Sequence, residues 1–117
     1  MLTTLMAAFC AKAAPLSATT DTPLAFILLG DSTTNPGAGW GNGFCSSLVD
    51  VPPEYCSNLA VSGATTGTCF ESGTFDTGLK TIREFVAAQR RPLVTIQFGH
   101  NDQKIAPPES MGQVRIE

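Results

Sequence analysis

Three short runs rich in apolar residues are spaced along the chain, and each ends in a cluster of glycine and small polar residues. The runs cover residues 24–29, 57–61 and 93–98. The first run is apolar without interruption, which is typical of strands covered on both faces. The pattern therefore predicts three β-strands, each followed by a polar loop.

A first helix is predicted between strands one and two. Trp40, Phe44 and Leu48 recur at i, i+4 and i+8, which indicates a helix with one apolar face over residues 40–48. This spacing favours packing of the Trp40 ring in the core. The alternative is an exposed ring that stacks on a sugar.

A second helix is predicted before the third strand. Asp76 or Thr77 is its expected N-cap, and Pro92 stops it. Residues 62–73, which precede it, are rich in serine, glycine and threonine and are predicted to form a loop. The apolar face of this helix consists of Leu79, Ile82, Phe85, Val86 and Gln89.

The resulting order, β-α-β-α-β, predicts an α/β fold with a parallel sheet and right-handed crossovers. Residues 24–117 are assigned to this domain, although Ala106-Pro107-Pro108-Glu109 ends the ordered pattern. Residues 1–14 are apolar and carry the small-x-small pattern Ala11-Lys12-Ala13, which predicts a signal peptide and secretion. Residues 15–23 are a polar leader.

Length, charge and composition limit the kinds of partner that the chain is expected to bind. The 117 residues suit one domain, and the net charge of −3 comes with basic residues that are scattered along the chain. A nucleic-acid partner is therefore not expected, because binding to phosphates needs a basic stripe. No apolar run reaches the roughly 18 residues that a membrane span needs.

The cysteines indicate an oxidising compartment but not one pairing. Cys10 falls inside the predicted signal peptide, which leaves Cys45, Cys56 and Cys69. Cys56 can pair with either of the other two, and one cysteine is left over. The chain has no Cys-x-x-Cys pair and a single histidine, so no zinc site is predicted.

A short polar segment lies at the end of each of the three predicted strands. The segments are Gly30-Asp31-Ser32, the run from Asn58 to Ala64, and Gly99-His100-Asn101-Asp102. In this order they resemble the SGNH (GDSL-type) hydrolase superfamily. Residues 98–104 look most like the rhamnogalacturonan acetylesterases, which are carbohydrate esterases. The resemblance implies a flavodoxin-like three-layer α/β/α fold, of which about three strands are present.

The resemblance also implies a role for each candidate site residue. Ser32 is the nucleophile, and its backbone N–H, the N–H of Gly63 and the side chain of Asn101 form the oxyanion hole. Taken alone, Ser32 is more typical of a turn or a helix cap, Gly63 also suits a turn with a positive φ, and Asn101 also suits hydrogen bonding within its own loop. Asp31 and Asp102 are expected to accept hydrogen bonds from loop amides rather than to serve as the triad acid.

The general base is missing from the pattern. Members of the superfamily carry Asp-x-x-His near the C-terminus, and this sequence contains no such motif. His100 adjoins Asn101, so it is expected to form part of the site wall or to hydrogen-bond within its loop rather than to act as the base. We therefore expect a C-terminally truncated domain, with one sheet edge and one side of the core uncovered.

Function follows from the resemblance. It implies a secreted, monomeric serine ester hydrolase that removes acetyl groups from pectic polysaccharide without a cofactor or a metal. One alternative is an esterase of the same superfamily that acts on lipid or small acyl esters. Another is a chain that lacks its base and is catalytically inactive. Residues 30–43 contain no phosphate-binding glycine motif, which argues against a nucleotide-binding module.

Overall fold

The computed structural model describes residues 21–105, and the predicted signal peptide lies outside this range. Of the predicted leader only residues 21–23 are described, and the Pro-Pro segment after residue 105 is not. The strands are β1 (Leu24–Gly30), β2 (Cys56–Asn58) and β3 (Arg91–Gln97). The α-helices are α1 (Trp40–Gly43), α2 (Thr66–Glu71), α3 (Thr74–Ala87) and α4 (Asp102–Ile105). A π-helix (Phe44–Leu48) follows α1, and a 3₁₀-helix (Pro53–Tyr55) precedes β2.

The three strands form one parallel sheet in the order β2-β1-β3. Phe26 of β1 pairs with Cys56 of β2 on one side and with Leu93 of β3 on the other. The predicted mixed α/β fold with a parallel sheet is confirmed. Because all three strands point the same way, their carboxyl ends meet at one edge of the sheet, where parallel sheets bind ligands.

The core is built around β1, as its continuous apolar run predicts. Ala25 and Ile27 are fully buried and pack with Phe85 of α3. Phe26 points to the opposite face, where its ring meets that of Phe44 edge-on at 5.3 Å. Burying a side chain such as Ile27 stabilises the fold by about 1.5–3 kcal/mol.

The outer strand β3 is much less covered. Leu93 is 50% exposed and Ile96 is 65% exposed, although their β1 partners Phe26 and Leu29 are buried. Within residues 21–105, β1 is the only strand that pairs with β3. Within the described part of the chain, β3 is thus an edge of the sheet, and Leu93 and Ile96 on it are exposed.

The first predicted helix has a different form. The segment 40–48 begins as α1 and continues as a π-helix, in which each turn holds one residue more than an α-helix. Leu48 ends the π-helix and is 76% exposed. The prediction that Leu48 shares a buried face with Trp40 and Phe44 is wrong, because the next residue, Val49, already has an extended backbone and the helix stops before it is covered.

The predicted loop over residues 62–73 contains a helix. Thr65 is the N-cap of α2: its hydroxyl accepts a hydrogen bond from the Thr68 amide, and the Thr68 hydroxyl accepts one from the Thr65 amide. Such a capping box normally carries Glu or Gln three residues after the N-cap. That residue is Thr68 here, so the sequence pattern did not predict the helix. Cys69 on this helix is buried.

The second predicted helix exists as α3, but its ends differ from the prediction. Its N-cap is Gly73 rather than Asp76 or Thr77. Gln89 lies beyond its end with a φ of 58°. Likewise, β3 already begins at Arg91, so Pro92 lies inside the strand. The second strand is also shifted, to Cys56–Asn58, although the amides of Leu59 and Val61 still donate to carbonyl oxygens of β1.

A disulfide joins Cys45 in the π-helix to Cys56 at the start of β2. Of the two pairings that the sequence left open, the structure contains this one. Cys69 is a free thiol, and burial raises its pKa. The bridge ties the segment that covers Phe26 directly to the sheet.

Candidate active site

Ser32 lies in the turn directly after β1, at the carboxyl edge of the sheet. It is half-buried, between the buried Asp31 and the exposed Thr33. The amides of Thr34 and Asn35 both donate to the Asp31 carbonyl oxygen, at 3.1 and 3.0 Å, and so close the turn around Ser32. Neither the hydroxyl nor the backbone N–H of Ser32 has a hydrogen-bond partner within residues 21–105.

The carboxylate of Asp31 stabilises this turn. It accepts hydrogen bonds from the Thr33 amide at 2.9 Å and from the Thr33 hydroxyl at 2.8 Å. The pKa of Asp31 is lowered chiefly by the bond from the Thr33 amide, and the nearby His100 lowers it further against the opposing effect of burial. Asp31 is thus an acceptor for loop groups, as the sequence predicts.

Gly63 occupies a tight turn that starts at Val61. The Ala64 amide donates to the Val61 carbonyl oxygen at 3.1 Å, and Gly63 has a φ of 81°. This is the third position of a four-residue turn, where a positive φ favours glycine. Gly63 is exposed, and its N–H donates no hydrogen bond to any described residue.

Asn101 is buried between the second and third segments. Its Nδ2 donates to the Ala64 carbonyl oxygen at 3.0 Å, and its Oδ1 accepts from Lys104 Nζ at 3.1 Å. The side chain is 8% exposed. An Nδ2 atom carries two hydrogens, so the bond to Ala64 leaves one of them available to a ligand.

Asp102 fixes the loop that carries Asn101. Its carboxylate accepts hydrogen bonds from the Gly99 amide at 3.1 Å and from the Thr66 amide at 3.0 Å, and also from the Thr66 hydroxyl. Burial raises the pKa of Asp102, but the bonds from Thr66 and Gly99 outweigh it and hold the pKa below its ordinary value. Thr66 was missed in the sequence because it lay in a predicted loop.

Side-chain amides join the three segments to one another. Asn35 Nδ2 donates to the Ala60 carbonyl oxygen at 3.0 Å, and Asn58 Nδ2 donates to the Thr34 carbonyl oxygen at 2.8 Å. These bonds connect the first segment to the second, as Asn101 connects the third to the second. The structure thus brings together the loops of Ser32, Gly63 and Asn101, although no hydrogen bond joins these three residues directly within the described range.

No described residue accepts a hydrogen bond from the Ser32 hydroxyl. His100 is exposed and forms no hydrogen bond to Ser32 among residues 21–105. The geometry therefore offers a serine and free amides, but not a serine–histidine pair.

Trp40 lies beside the Ser32 turn and outside the core. Its amide donates to the Thr33 carbonyl oxygen at 2.9 Å, and its ring is 40% exposed. The ring meets Phe44 edge-on at 5.6 Å, and its Nε1 donates to Gln97 Oε1 at 2.7 Å. The prediction of core packing is wrong here, because the hydrogen bond holds the ring at the surface.

An apolar cavity of about 110 Å³ lies between helix α2 and the carboxyl ends of β1 and β3. Thr66, which binds Asp102, forms part of its wall. The remaining walls are apolar or weakly polar side chains from β1, α2, α3 and the end of β3: Leu29, Cys69, Phe70, Phe75, Ile96 and Phe98. This cavity can take a small apolar group.

Comparisons of the chain with models of known protein families, with curated proteins and with solved structures found no match. Among residues 21–105, no helix is both long enough and apolar enough to cross a membrane.

Proposed function

We propose that this protein is a serine ester hydrolase of the SGNH superfamily, with Ser32 as its nucleophile. The observation that carries the proposal is the meeting of three loops at the carboxyl edge of the sheet, with Ser32 in the first. Hydrogen bonds from Asn35 and Asn101 tie the first and third loops to the second. The strand order β2-β1-β3 also agrees with a flavodoxin-like three-layer fold, whose first three strands have this order.

Catalysis begins with attack of Ser32 Oγ on the carbonyl carbon of an ester. The Oγ–carbon bond forms, the Oγ proton passes to solvent water or hydroxide, since no described side chain hydrogen-bonds to it, and the carbonyl oxygen becomes an oxyanion. The N–H groups of Ser32 and Gly63 and the second N–H of Asn101 Nδ2 bind this oxyanion. Collapse breaks the bond to the leaving oxygen, which takes a proton from solvent and departs as the alcohol, and water then hydrolyses the acyl group on Ser32 to the carboxylic acid.

The free amides support this assignment more than the serine does. Buried N–H groups are normally paired, yet the N–H of the half-buried Ser32 lacks a partner in the described part of the chain. Gly63 is exposed, so its N–H binds solvent until a ligand replaces it. Preorganised donors of this kind account for much of the rate in acyl transfer, because they need no rearrangement when the charge develops.

The proposed substrate is an acetylated pectic polysaccharide outside the cell. This part of the proposal rests on the resemblance of residues 98–104 to rhamnogalacturonan acetylesterases. The Cys45–Cys56 disulfide supports secretion, because disulfides persist in oxidising compartments. An exposed indole beside Ser32, at Trp40, is a surface of the kind that stacks on sugar rings.

The apolar cavity favours a second candidate, an esterase for longer acyl chains. Its wall includes Thr66, whose amide and hydroxyl bind Asp102 next to the proposed oxyanion donor Asn101. If the cavity holds the acyl chain, p-nitrophenyl butyrate is a better substrate than the acetate, and Phe70→Ala changes this preference. A preference for acetate that Phe70→Ala leaves unchanged assigns the cavity to packing alone.

The experiment that tests the proposal is hydrolysis of p-nitrophenyl acetate and of acetylated rhamnogalacturonan, with Ser32→Ala as control. Circular dichroism verifies that both chains are folded. Turnover by the wild type above that of Ser32→Ala supports a serine hydrolase. Equal turnover by two folded chains contradicts hydrolysis by this chain and favours the inactive alternative that lacks its base.

A further inference from the structure

The side chain of Gln97 joins strand β3 to the loop that carries Ser32. Gln97 is the last residue of β3 and pairs with Gly30 at the end of β1. Its Oε1 atom accepts two hydrogen bonds, from Thr34 Oγ1 at 3.2 Å and from Trp40 Nε1 at 2.7 Å. A carboxamide oxygen has two lone pairs, so these two donors saturate it.

The two donors stand at opposite ends of the Ser32 loop. Thr34 is fully buried two residues after Ser32, and its amide donates to the Asp31 carbonyl oxygen. Trp40 closes the loop by donating its amide to the Thr33 carbonyl oxygen. One oxygen of β3 therefore fixes both the start and the end of the loop.

The backbone around this oxygen is equally close-packed. A Cβ atom at Gly30 would lie 2.7 Å from Thr34 Oγ1 and 2.8 Å from the Gln97 carbonyl oxygen. Such distances are too short for carbon, so glycine is required where β1 passes between Thr34 and Gln97. This close approach lets the Gln97 side chain reach Thr34.

We propose that Gln97 is a positioning residue, whose Oε1 holds the Ser32 loop through Thr34 and Trp40. The role in catalysis rests on the proposed function, since Gln97 itself does not touch the reacting atoms. Small displacements of a reacting group lower rates strongly, by about 100-fold for 1 Å. Gln97 thereby couples the strand that leads to Asn101 to the turn that carries the nucleophile.

The test compares three variants with the wild type. Gln97→Met keeps the length of the side chain but removes the amide oxygen, and Gln97→Glu keeps an oxygen acceptor. Gln103→Met makes the same apolar change at an exposed glutamine whose side chain has no hydrogen bond within residues 21–105. Trp40 is the sole tryptophan of the chain, so its fluorescence reports this contact directly.

Three readouts are expected to change in Gln97→Met. The Trp40 emission shifts to longer wavelength, and amide exchange at Thr34 and Trp40 accelerates about tenfold, as loss of a hydrogen bond implies. The kcat for p-nitrophenyl acetate falls at least about tenfold with little change in KM. Gln97→Glu and Gln103→Met are expected to keep wild-type values.

The fluorescence and exchange readouts need no catalysis, so they separate this inference from the proposed function. Wild-type emission and exchange in Gln97→Met would overturn the positioning role. Suppose that emission and exchange both change in Gln97→Met, while the wild type and Ser32→Ala hydrolyse p-nitrophenyl acetate equally. This outcome would support the positioning of the loop by Gln97 and reject the esterase. Equal losses in Gln97→Met and Gln103→Met would also overturn the inference.

Discussion

Asn101 reaches across from the third loop and donates its Nδ2 to the carbonyl oxygen of Ala64, at 3.0 Å. Ala64 directly follows Gly63, so the contact places the proposed side-chain donor next to the turn that carries a proposed backbone donor. Lys104 Nζ donates to Oδ1 of the same side chain. The two hydrogen bonds together fix the orientation of the amide. Asn101 thus supports the turn of Gly63 and is itself one of the proposed oxyanion donors.

Removing the Asn101 amide is expected to affect both catalysis and stability, and the two effects can be measured separately. Asn101→Ala should lower kcat for p-nitrophenyl acetate by about 100- to 1,000-fold, the usual cost of one oxyanion donor. It should also lower the free energy of unfolding by about 1 kcal/mol for the lost hydrogen bond. Steady-state kinetics and urea unfolding measure the two effects.

Asn35→Ala is the matched control for this variant. Its Nδ2 also donates to a carbonyl oxygen of the second segment, that of Ala60 at 3.0 Å, but it has no proposed role at the oxyanion. We expect a similar loss of stability with a much smaller effect on kcat. Equal effects on kcat from Asn35→Ala and Asn101→Ala would remove the case for Asn101 as a donor.

The carboxylate of Asp102 is expected to make stability depend on pH. Its pKa in the folded protein lies below the ordinary value of 3.8, despite burial, because Thr66 and Gly99 donate hydrogen bonds to the charged form. The group therefore stabilises the fold fully well above pH 3.8. This contribution is lost as the pH falls through the lower, folded-state pKa.

Urea unfolding between neutral pH and about pH 3 measures this dependence. Asp102→Asn should lower stability at neutral pH and flatten its decline in acid. Asp50→Asn changes an exposed carboxylate without a hydrogen-bond partner among residues 21–105 and serves as the control. An acid decline that is as steep in Asp102→Asn as in the wild type would contradict the assignment.

The positive φ of Gly63 is expected to make this position intolerant of a side chain. A Cβ atom at Gly63 would meet no atom within 4 Å, so any cost comes from the backbone alone. Gly63→Ala should lower the free energy of unfolding by about 1–2 kcal/mol. Gly67→Ala, within helix α2, should instead raise it by about 0.4–1 kcal/mol, and an equal sign for both variants would refute the argument.

The Cys45–Cys56 bridge is expected to contribute about 3 kcal/mol, the entropy of closing a loop over its sequence separation of 11. The double variant Cys45→Ser, Cys56→Ser should lose this amount in urea unfolding under oxidising conditions. Under reducing conditions the wild type and the variant should converge. A wild type that is equally stable in both conditions would show that the bridge does not constrain the unfolded chain.

The sequence predicted those parts of the fold in which local pattern and burial agree. The continuous apolar run of β1 identified the central strand, and the spacing of Ile82 and Phe85 identified α3. The π-helix was not predictable, because the i, i+4, i+8 spacing of Trp40, Phe44 and Leu48 fits an α-helix equally well. Helix α2 was missed because its capping box uses threonine twice.

The same distinction between local pattern and tertiary contact applies to the candidate site. Ser32, Gly63 and Asn101 were proposed from the resemblance of the short motifs that follow three apolar runs. Their supports were not found, because Thr66 and Gln97 act through tertiary contacts with residues distant in sequence, Asp102 and Thr34 among them. Nothing in local pattern distinguishes Gln97 from any other polar residue at the end of a strand.

The most direct test of the central claim is mass spectrometry of the chain after brief exposure to p-nitrophenyl acetate, beside Ser32→Ala. Digestion then locates the acetyl group. The account predicts one acetyl group on the peptide that contains Ser32 in the wild type, and none at this position in the variant. Equal acetylation of both chains, or modification confined to Lys80 and Lys104, would contradict Ser32 as the nucleophile.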